Sequence, residues 1–458
     1  MKLVELLRPR GTIDRGTYAV IGVVGFALKH NLDRVVASAF FHRTWGLFNY
    51  WVPMRDVARI TDLRSGDAMF LETMVALAFP FVWVGVVLTM KRLRSAHLPA
   101  PLVALFFVPF LNLLFFLLLC LLPARDPLAT ETRGGLVATR IVPESAVGSA
   151  AISLLVTVPV GMGMYWLGVN VLQNYGWGLF VAVPFTMGFG AALIYGLRQR
   201  RSLKSCVGVG CLSAALPGFA LLALALEGVG CLIMAMPITL PLAAFGGACG
   251  YLVQRGRWVG GEAPAYLGLL LVFVPGVQWL EHVAARQAPT LVVQSSIDIQ
   301  APPETVWKQV IAFTEIPPPE EWFFRAGIAY PIRAEMLGSG PGAERHCVFS
   351  TGAFVEPIEV WDEPRLLKFS VTSNPPPMEE WSPYSHIEPP HLRGFLVSEE
   401  GQFLLTPLPD GGTRLEGTTW YRHGLWPTRY WQLWSDAIIH QIHMRVLKHI
   451  KDEAEKTG

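Results

Sequence analysis

Charged side chains are scarce in this 458-residue chain: 16% of it is Asp, Glu, Lys or Arg, against roughly 25% in a soluble globular protein. With 52% of the residues hydrophobic, that deficit argues against a wholly water-soluble enzyme. Cysteine is also sparse. Five of the six (Cys120, Cys206, Cys211, Cys231 and Cys249) sit in apolar runs and Cys347 stands apart, so the spacing offers neither a disulfide framework nor a zinc motif. Small buried hydrophobes are the plain reading. No Ser-His-Asp, Cys-His or glycine-rich phosphate motif is apparent, and no cofactor is implied. A secretory signal is not expected either, because Met1 to Arg15 is charged and Gly16 to Leu28 lacks a small-residue cleavage pattern.

What charge there is divides unevenly. Met1 to Arg286 carries 23 Lys+Arg and 13 Asp+Glu, whereas Gln287 to Gly458 carries 14 and 22. The first part also holds the long uncharged runs. A bilayer core about 30 Å thick needs about 20 apolar residues in helix, and six runs qualify: about Phe70–Met90, Leu98–Leu122, Val147–Leu172, Trp177–Leu197, Cys206–Leu226 and Gly228–Val253. Ala263–Leu280 is a further candidate, interrupted by Pro275-Gly276. Tyr18–Leu28 would either cross by snorkelling or lie along the surface. Residues 1–125 and 126–286 are thus expected to be membrane regions, the first with about three hydrophobic segments.

Cytoplasmic loops are enriched in Lys and Arg. Placing Arg198, Arg200, Arg201 and Lys204, with Arg255 and Arg257, in the cytoplasm puts the acidic part on the other face. The basic residues flanking Leu98–Leu122 fit that scheme only with a re-entrant turn at Pro109. Glu72 and Glu227 read as interfacial groups at helix ends, since an ion path would need more such groups along one face. Trp45, Phe48, Tyr50 and Trp51 suit the headgroup layer. Arg10-Gly11-Thr12-Ile13-Asp14-Arg15 and Lys91-Arg92-Leu93-Arg94-Ser95-Ala96-His97 resemble motifs of a small bacterial membrane family of unknown function, although its His-Asp pair is absent in register. That resemblance implies an integral protein, expected in the bacterial cytoplasmic membrane, and says nothing about activity.

Near Leu291 the pattern changes to short strand-like segments bounded by turns. Leu291–Ile299 alternates, and strands are expected over about Ile328–Leu337, Glu344–Thr351, Phe354–Asp362, Arg365–Thr372, Gly401–Leu408 and Thr413–His423. Pro302-Pro303-Glu304 begins a helix whose apolar face is Val306, Trp307, Val310 and Ile311. A final helix, Pro427 to about Glu455, repeats Tyr430, Trp434, Ile438, Ile442, Val446 and Ile450 at four-residue intervals.

The opening Ile297-Asp298-Ile299-Gln300-Ala301-Pro302-Pro303-Glu304-Thr305-Val306-Trp307 resembles the START-like superfamily, also called SRPBCC or polyketide cyclase/dehydrase-like. The resemblance implies, over residues 287–458, an α+β helix-grip domain. Its curved antiparallel sheet and long C-terminal helix would enclose a cavity for a lipid or other hydrophobic molecule. The whole chain then reads as multi-domain, an α-helical transmembrane bundle followed by that domain. Candidate lining residues are Phe324, Phe349, Phe369, Trp381, Phe403, Trp420, Trp434, Ile438 and Ile442, with plain core packing as the alternative.

His346 and His440 are the candidate acid–base residues. His440, His443 and His449 share a helix, and as metal ligands they would want His346, Glu356 or Glu359 to converge from a strand; their spacing is weak evidence, and no metal is expected. The 21-residue stretch Asn374–Gly394, rich in Pro and aromatics, reads as a lid or as a loop packed on the sheet edge. Expected partners are the bilayer and a hydrophobic molecule, with no nucleic acid. Binding or transfer of that molecule is the leading function. A cyclase-, hydratase- or hydrolase-like activity and a ligand-sensing role are the alternatives.

Overall fold

The computed structural model describes residues 11–50, 65–96, 98, 100–107, 111–122, 142–255, 263–284, 288–384 and 387–457. Its first part is helical: α1 (Arg15–Phe41), α2 (Ser65–Ser95), a 3-10 segment (Ala100–Phe107) and α3 (Leu111–Leu121). Next come α4 (Ala146–Trp166), α5 (Val183–Tyr195), α6 (Leu203–Ala223), α7 (Val229–Arg255) and α8 (Ala263–Ala284). A π-helical segment Leu167–Val171 extends α4, and another, Gly178–Ala182, leads into α5. Side-chain caps mark several starts, with Asp14, Ser145 and Ser202 accepting from Thr17, Gly148 and Ser205 amides.

Among the described residues, five segments are long and apolar enough to cross a membrane: Thr73–Ser95, Ala146–Val171, Gly178–Tyr195, Leu203–Ala223 and Val229–Arg255. Two expectations need correction. Leu98–Leu122 is not one helix, because a 3-10 segment and α3 divide it; Pro109 lies outside the described residues. The short Tyr18–Leu28 run extends to a 27-residue helix, past Lys29, whose charge pairs with buried Asp33 one turn on.

Tyr50 donates to the same Asp33 carboxylate at 2.6 Å, so this aromatic ties the loop to α1. Buried Arg92 donates to the carbonyls of Leu119 and Leu122 and so caps α3. The Glu72 side chain and Trp51 lie outside the described residues, as does the Phe48 side chain.

Tight helix packing holds the second half of the bundle. A Cβ at Gly188 would strike the Ala243 backbone, and one at Gly246 the Phe185 backbone. Glycine at these positions lets α5 and α7 approach closely, as small residues do between apolar helices. Buried Gln254 and the backbone of Arg201 meet at the basic end of this bundle.

The C-terminal part is a seven-stranded antiparallel sheet in the order β1-β7-β6-β5-β4-β3-β2. Its strands are β1 (Leu291–Ile299), β2 (Pro331–Leu337), β3 (Glu344–Phe349), β4 (Gly352–Asp362), β5 (Leu366–Ser370), β6 (Leu396–Pro407) and β7 (Thr413–His423). All begin or end within a few residues of their expected bounds except β6, which starts five earlier. Register shifts between Ile358 and Val360 and between Ser398 and Glu400 bend the sheet. Helices α9 (Pro303–Ile311) and α10 (Trp322–Arg325) precede β2, and α11 (Thr428–Thr457) closes the chain along β1. This is the helix-grip order.

The apolar stripe of α11 does three things along its length. Val446, Leu447, Ile450 and Ala454 enter the cup core with Trp307, Leu367 and Leu405. At the other end, Tyr430, Trp431 and Trp434 pack on Tyr165, Val169, Phe180 and Leu221 of the bundle. Between them Ile438, Ile439 and Ile442 face a cavity.

Candidate functional site

Two hollows meet the middle of α11. The inner one, between sheet and helix, is small at about 120 Å³ and holds a buried ion pair, Arg345 with Glu356. The guanidinium carbon lies 5.6, 5.6 and 5.4 Å from the rings of Phe313, Phe369 and Phe403. Burial pushes the Glu356 carboxyl up, against the opposing pull of Arg345. Side chains therefore fill much of the space that the resemblance assigned to a ligand.

The larger hollow, about 420 Å³, lies where cup and bundle meet. Phe349, Phe354 and Ile442 form its cup side, while Leu179, Met187 and Leu221 belong to the bundle. Phe219, Ile233 and Met236 also line it, yet each is strongly exposed on the outer surface of the bundle. They mark a rim of exposed side chains on α6 and α7.

Why cup and bundle join here follows from a set of polar contacts at the α6–α7 turn. Val229 donates its amide to the Trp381 carbonyl at 2.9 Å. The Gly230 and Cys231 amides, at the start of α7, donate to Glu380 at 3.2 and 3.3 Å. Gly228 is required beside them, since a Cβ there would collide with the Glu380 carboxylate. Tyr430 donates to the Met234 carbonyl at 2.5 Å, Trp426 to the Tyr175 carbonyl at 2.9 Å, and Tyr384 to the Ala223 carbonyl. Residues 374–394 thus run along the seam and contribute Pro376, Met378 and His391 to the wall. Ser385 and His386 lie outside the described residues.

Three titratable side chains, Glu227, Cys231 and His391, converge on that wall. His391 places Nε2 at 2.7 Å from the Cys231 sulfur and Nδ1 at 3.4 Å from Glu227 Oε2. The other oxygen of Glu227 accepts from Tyr165 at 2.7 Å and from Tyr175 at 3.4 Å. Burial lifts the Glu227 carboxyl to about 7, offset in part by the Tyr165 hydrogen bond, and holds His391 down to about 4 against the Glu380 charge. Glu380 is itself pushed up by burial. The ligand-type atoms of Glu227, Cys231 and His391 all lie within 4.8 Å of one another, close enough for a metal ion. Buried His423 adds a further polar group to the same cavity.

The residues singled out from sequence divide by position. Phe349, Trp434, Ile438 and Ile442 line the larger cavity, and Phe349, Phe369, Phe403 and Ile442 the smaller. Three lie outside both. Phe324 packs on Phe323 and Tyr330, Trp381 is exposed, and Trp420 sits beneath Lys368 on the outer face.

His346 and His440 are likewise apart from the cavities. His346 pairs with Glu344 at 2.5 Å on β3, and His440 meets Ser295 at 2.8 Å. His443 shares that serine at 3.1 Å and reaches Thr419 at 2.8 Å, with no carboxylate in the group. Sequence reasoning did not assemble Glu227, Cys231 and His391, because 160 residues separate the thiol from the imidazole and no local motif joins them.

No protein-family model matches the chain, and no curated protein does; the N-terminal resemblance gains nothing from these comparisons. Solved structures similar to part of the chain include an aromatase/cyclase from a Streptomyces species, at 15% identity over 37% of this chain and 95% of that one, TM-score 0.24. A point mutant of norcoclaurine synthase from Thalictrum flavum, in complex with a transition-state analogue, is 10% identical over 38% and 98%, TM-score 0.25. A protein of Nitrosomonas europaea is 13% identical over 36% and 96%, TM-score 0.23.

Proposed function

We propose that this is a membrane protein whose helices hold a START-like cup at the bilayer surface, and that it binds or transfers a lipid or other hydrophobic small molecule. One observation carries the reading: the 420 Å³ apolar hollow has walls from both cup and bundle and a rim on the outer side of the helices. Its size falls in the range of small-molecule sites, which are apolar with a few placed polar groups. A lipophilic molecule dissolved in the bilayer would reach the rim without crossing water. Residues 1–125 and 126–286 would form the membrane region and residues 287–458 the cup. The basic end of the bundle lies away from the cup, so the charge rule puts the cup outside the cytoplasm. The 374–394 segment would act as the wall that opens for exchange.

The test is uptake of cis-parinaric acid by the full chain in lipid nanodiscs. Gly218→Trp, on the cavity wall next to Phe219 of the rim, and Ile438→Trp inside should each weaken binding at least about tenfold, the order of a lost or blocked apolar contact. No uptake by the parent chain, or uptake indifferent to both substitutions, would remove this reading.

A further inference from the structure

Cys231, His391 and Glu227 stand in the order nucleophile, base and orienting acid, on the wall of the apolar cavity. The imidazole turns one nitrogen to the thiol and the other to the carboxylate. That disposition suits a proton relay. A single metal ion would take only one of those nitrogens beside Cys231 and Glu227, and the other nitrogen would be left without a role. Glu227 Oε2 and His391 Nδ1 are both buried and have no other hydrogen-bond partner, and they face each other. Catalytic hydrogen bonds commonly lengthen in this way before substrate binds.

We propose that Cys231 is a catalytic nucleophile for acyl transfer from lipophilic esters bound in this cavity, with His391 as general base and Glu227 as the residue that orients it. This rests on the ligand-binding reading above and names the substrate class of the same site. In the first half-reaction the thiol sulfur bonds to the ester carbonyl carbon while its proton passes to His391 Nε2. The carbon–oxygen bond then breaks, and the departing alkoxide takes that proton and leaves as the alcohol. In the second, His391 takes a proton from water as the water oxygen attacks the thioester carbonyl. The carbon–sulfur bond breaks, the sulfur recovers the proton from His391, and the free acid leaves. Ester and water thus give alcohol and acid, with no redox change.

Glu227 acts in its ionised form, accepting a hydrogen bond from the Nδ1–H and so leaving the Nε2 lone pair for the thiol. The groups facing this pair are Tyr165 of α4, Tyr175, Cys231 of α7, and Glu380 of the 374–394 segment. Burial lifts Glu227 to about 7 and keeps His391 neutral above about 4, so the relay is complete on the alkaline side of neutrality.

The probe is p-nitrophenyl decanoate, offered at pH 8 to the full chain in nanodiscs. A burst of p-nitrophenol should accompany a hydroxylamine-labile decanoyl group on Cys231. Cys231→Ala should abolish both, and His391→Gln should slow the burst about 100-fold. Cys249→Ala, away from the cavity, should change neither. Glu227→Gln should slow the burst and erase its rise through pH 7, which a purely structural role would not do.

Binding of cis-parinaric acid is measured on the same preparations. Binding without acylation of Cys231 overturns this inference and leaves the ligand reading standing. Absence of both binding and acylation removes the two together. A stoichiometric metal ion lost in Cys231→Ala would also overturn it.

Discussion

The Glu227–His391 pair makes an unusual prediction about pH. Its carboxyl holds a proton up to about 7 instead of the usual 4.5, and its imidazole gives one up at about 4 instead of 6.5. For the carboxyl, the native state binds more protons than the unfolded chain between pH 4.5 and 7, so its contribution falls as pH rises. For the imidazole the unfolded chain binds more between 4 and 6.5, so that contribution rises. Each spans roughly 2.5 pH units at about 1.36 kcal/mol per unit, or about 3 kcal/mol. Opposite signs over nearly the same interval cancel, and the pair should add almost no pH dependence between 4.5 and 6.5.

Removing one partner exposes the other. Glu227→Gln, whose amide oxygen still accepts from Tyr165 and Tyr175, should gain about 3 kcal/mol relative to the parent as pH rises from 4.5 to 7, the window of the lost carboxyl. His391→Gln should lose a similar amount relative to the parent between 4 and 6.5, the window of the lost imidazole. Other buried acids, Glu380 among them, act in all three chains and drop out of the differences to first order. Urea unfolding of the full chain in detergent micelles, read by tryptophan fluorescence at half-unit pH steps, checks this. Parallel curves for the three proteins would refute the reasoning, because burial would then not be what shifts either group.

Three further outcomes are expected. Glu356→Ala should strand the buried Arg345 charge at a cost of about 3 kcal/mol, the low end for a broken buried pair given three aromatic neighbours; Arg345→Met with Glu356→Leu should recover most of it. Scanning calorimetry would show the single variant's cup transition falling by roughly 6–12 °C. Gly246→Leu should drive α5 from α7 and lower the bundle's thermal midpoint, overpacking of this kind costing at least about 1–3 kcal/mol, whereas Gly208→Ala, with open space around it, should be neutral. Tyr165→Phe removes a donor to Glu227, so that carboxyl should titrate still higher, measurable by infrared spectroscopy of its C=O band.

Periodicity carried most of the architecture. Alternation over Leu291–Ile299 and Thr413–His423, turn residues such as Asp410-Gly411, and the four-residue stripe from Tyr430 to Ile450 are local signals. Local backbone geometry translates them into strands and a helix wherever they occur. The same held for the uncharged runs, apart from Leu98–Leu122, where continuous hydrophobicity hid a break in the helix.

The place of the hollow was not local. The stripe of α11 reads as one uniform face, yet tertiary structure assigns its ends to different cores and its middle to a void. Nor does the charge pattern say that Glu227, at the α6–α7 turn, meets an imidazole from the 374–394 segment. Local sequence dictates which faces are apolar. Which apolar face covers which, and what polar groups become trapped between them, depends on contacts between residues far apart in the chain, and these form only when the cup is seated on the helices.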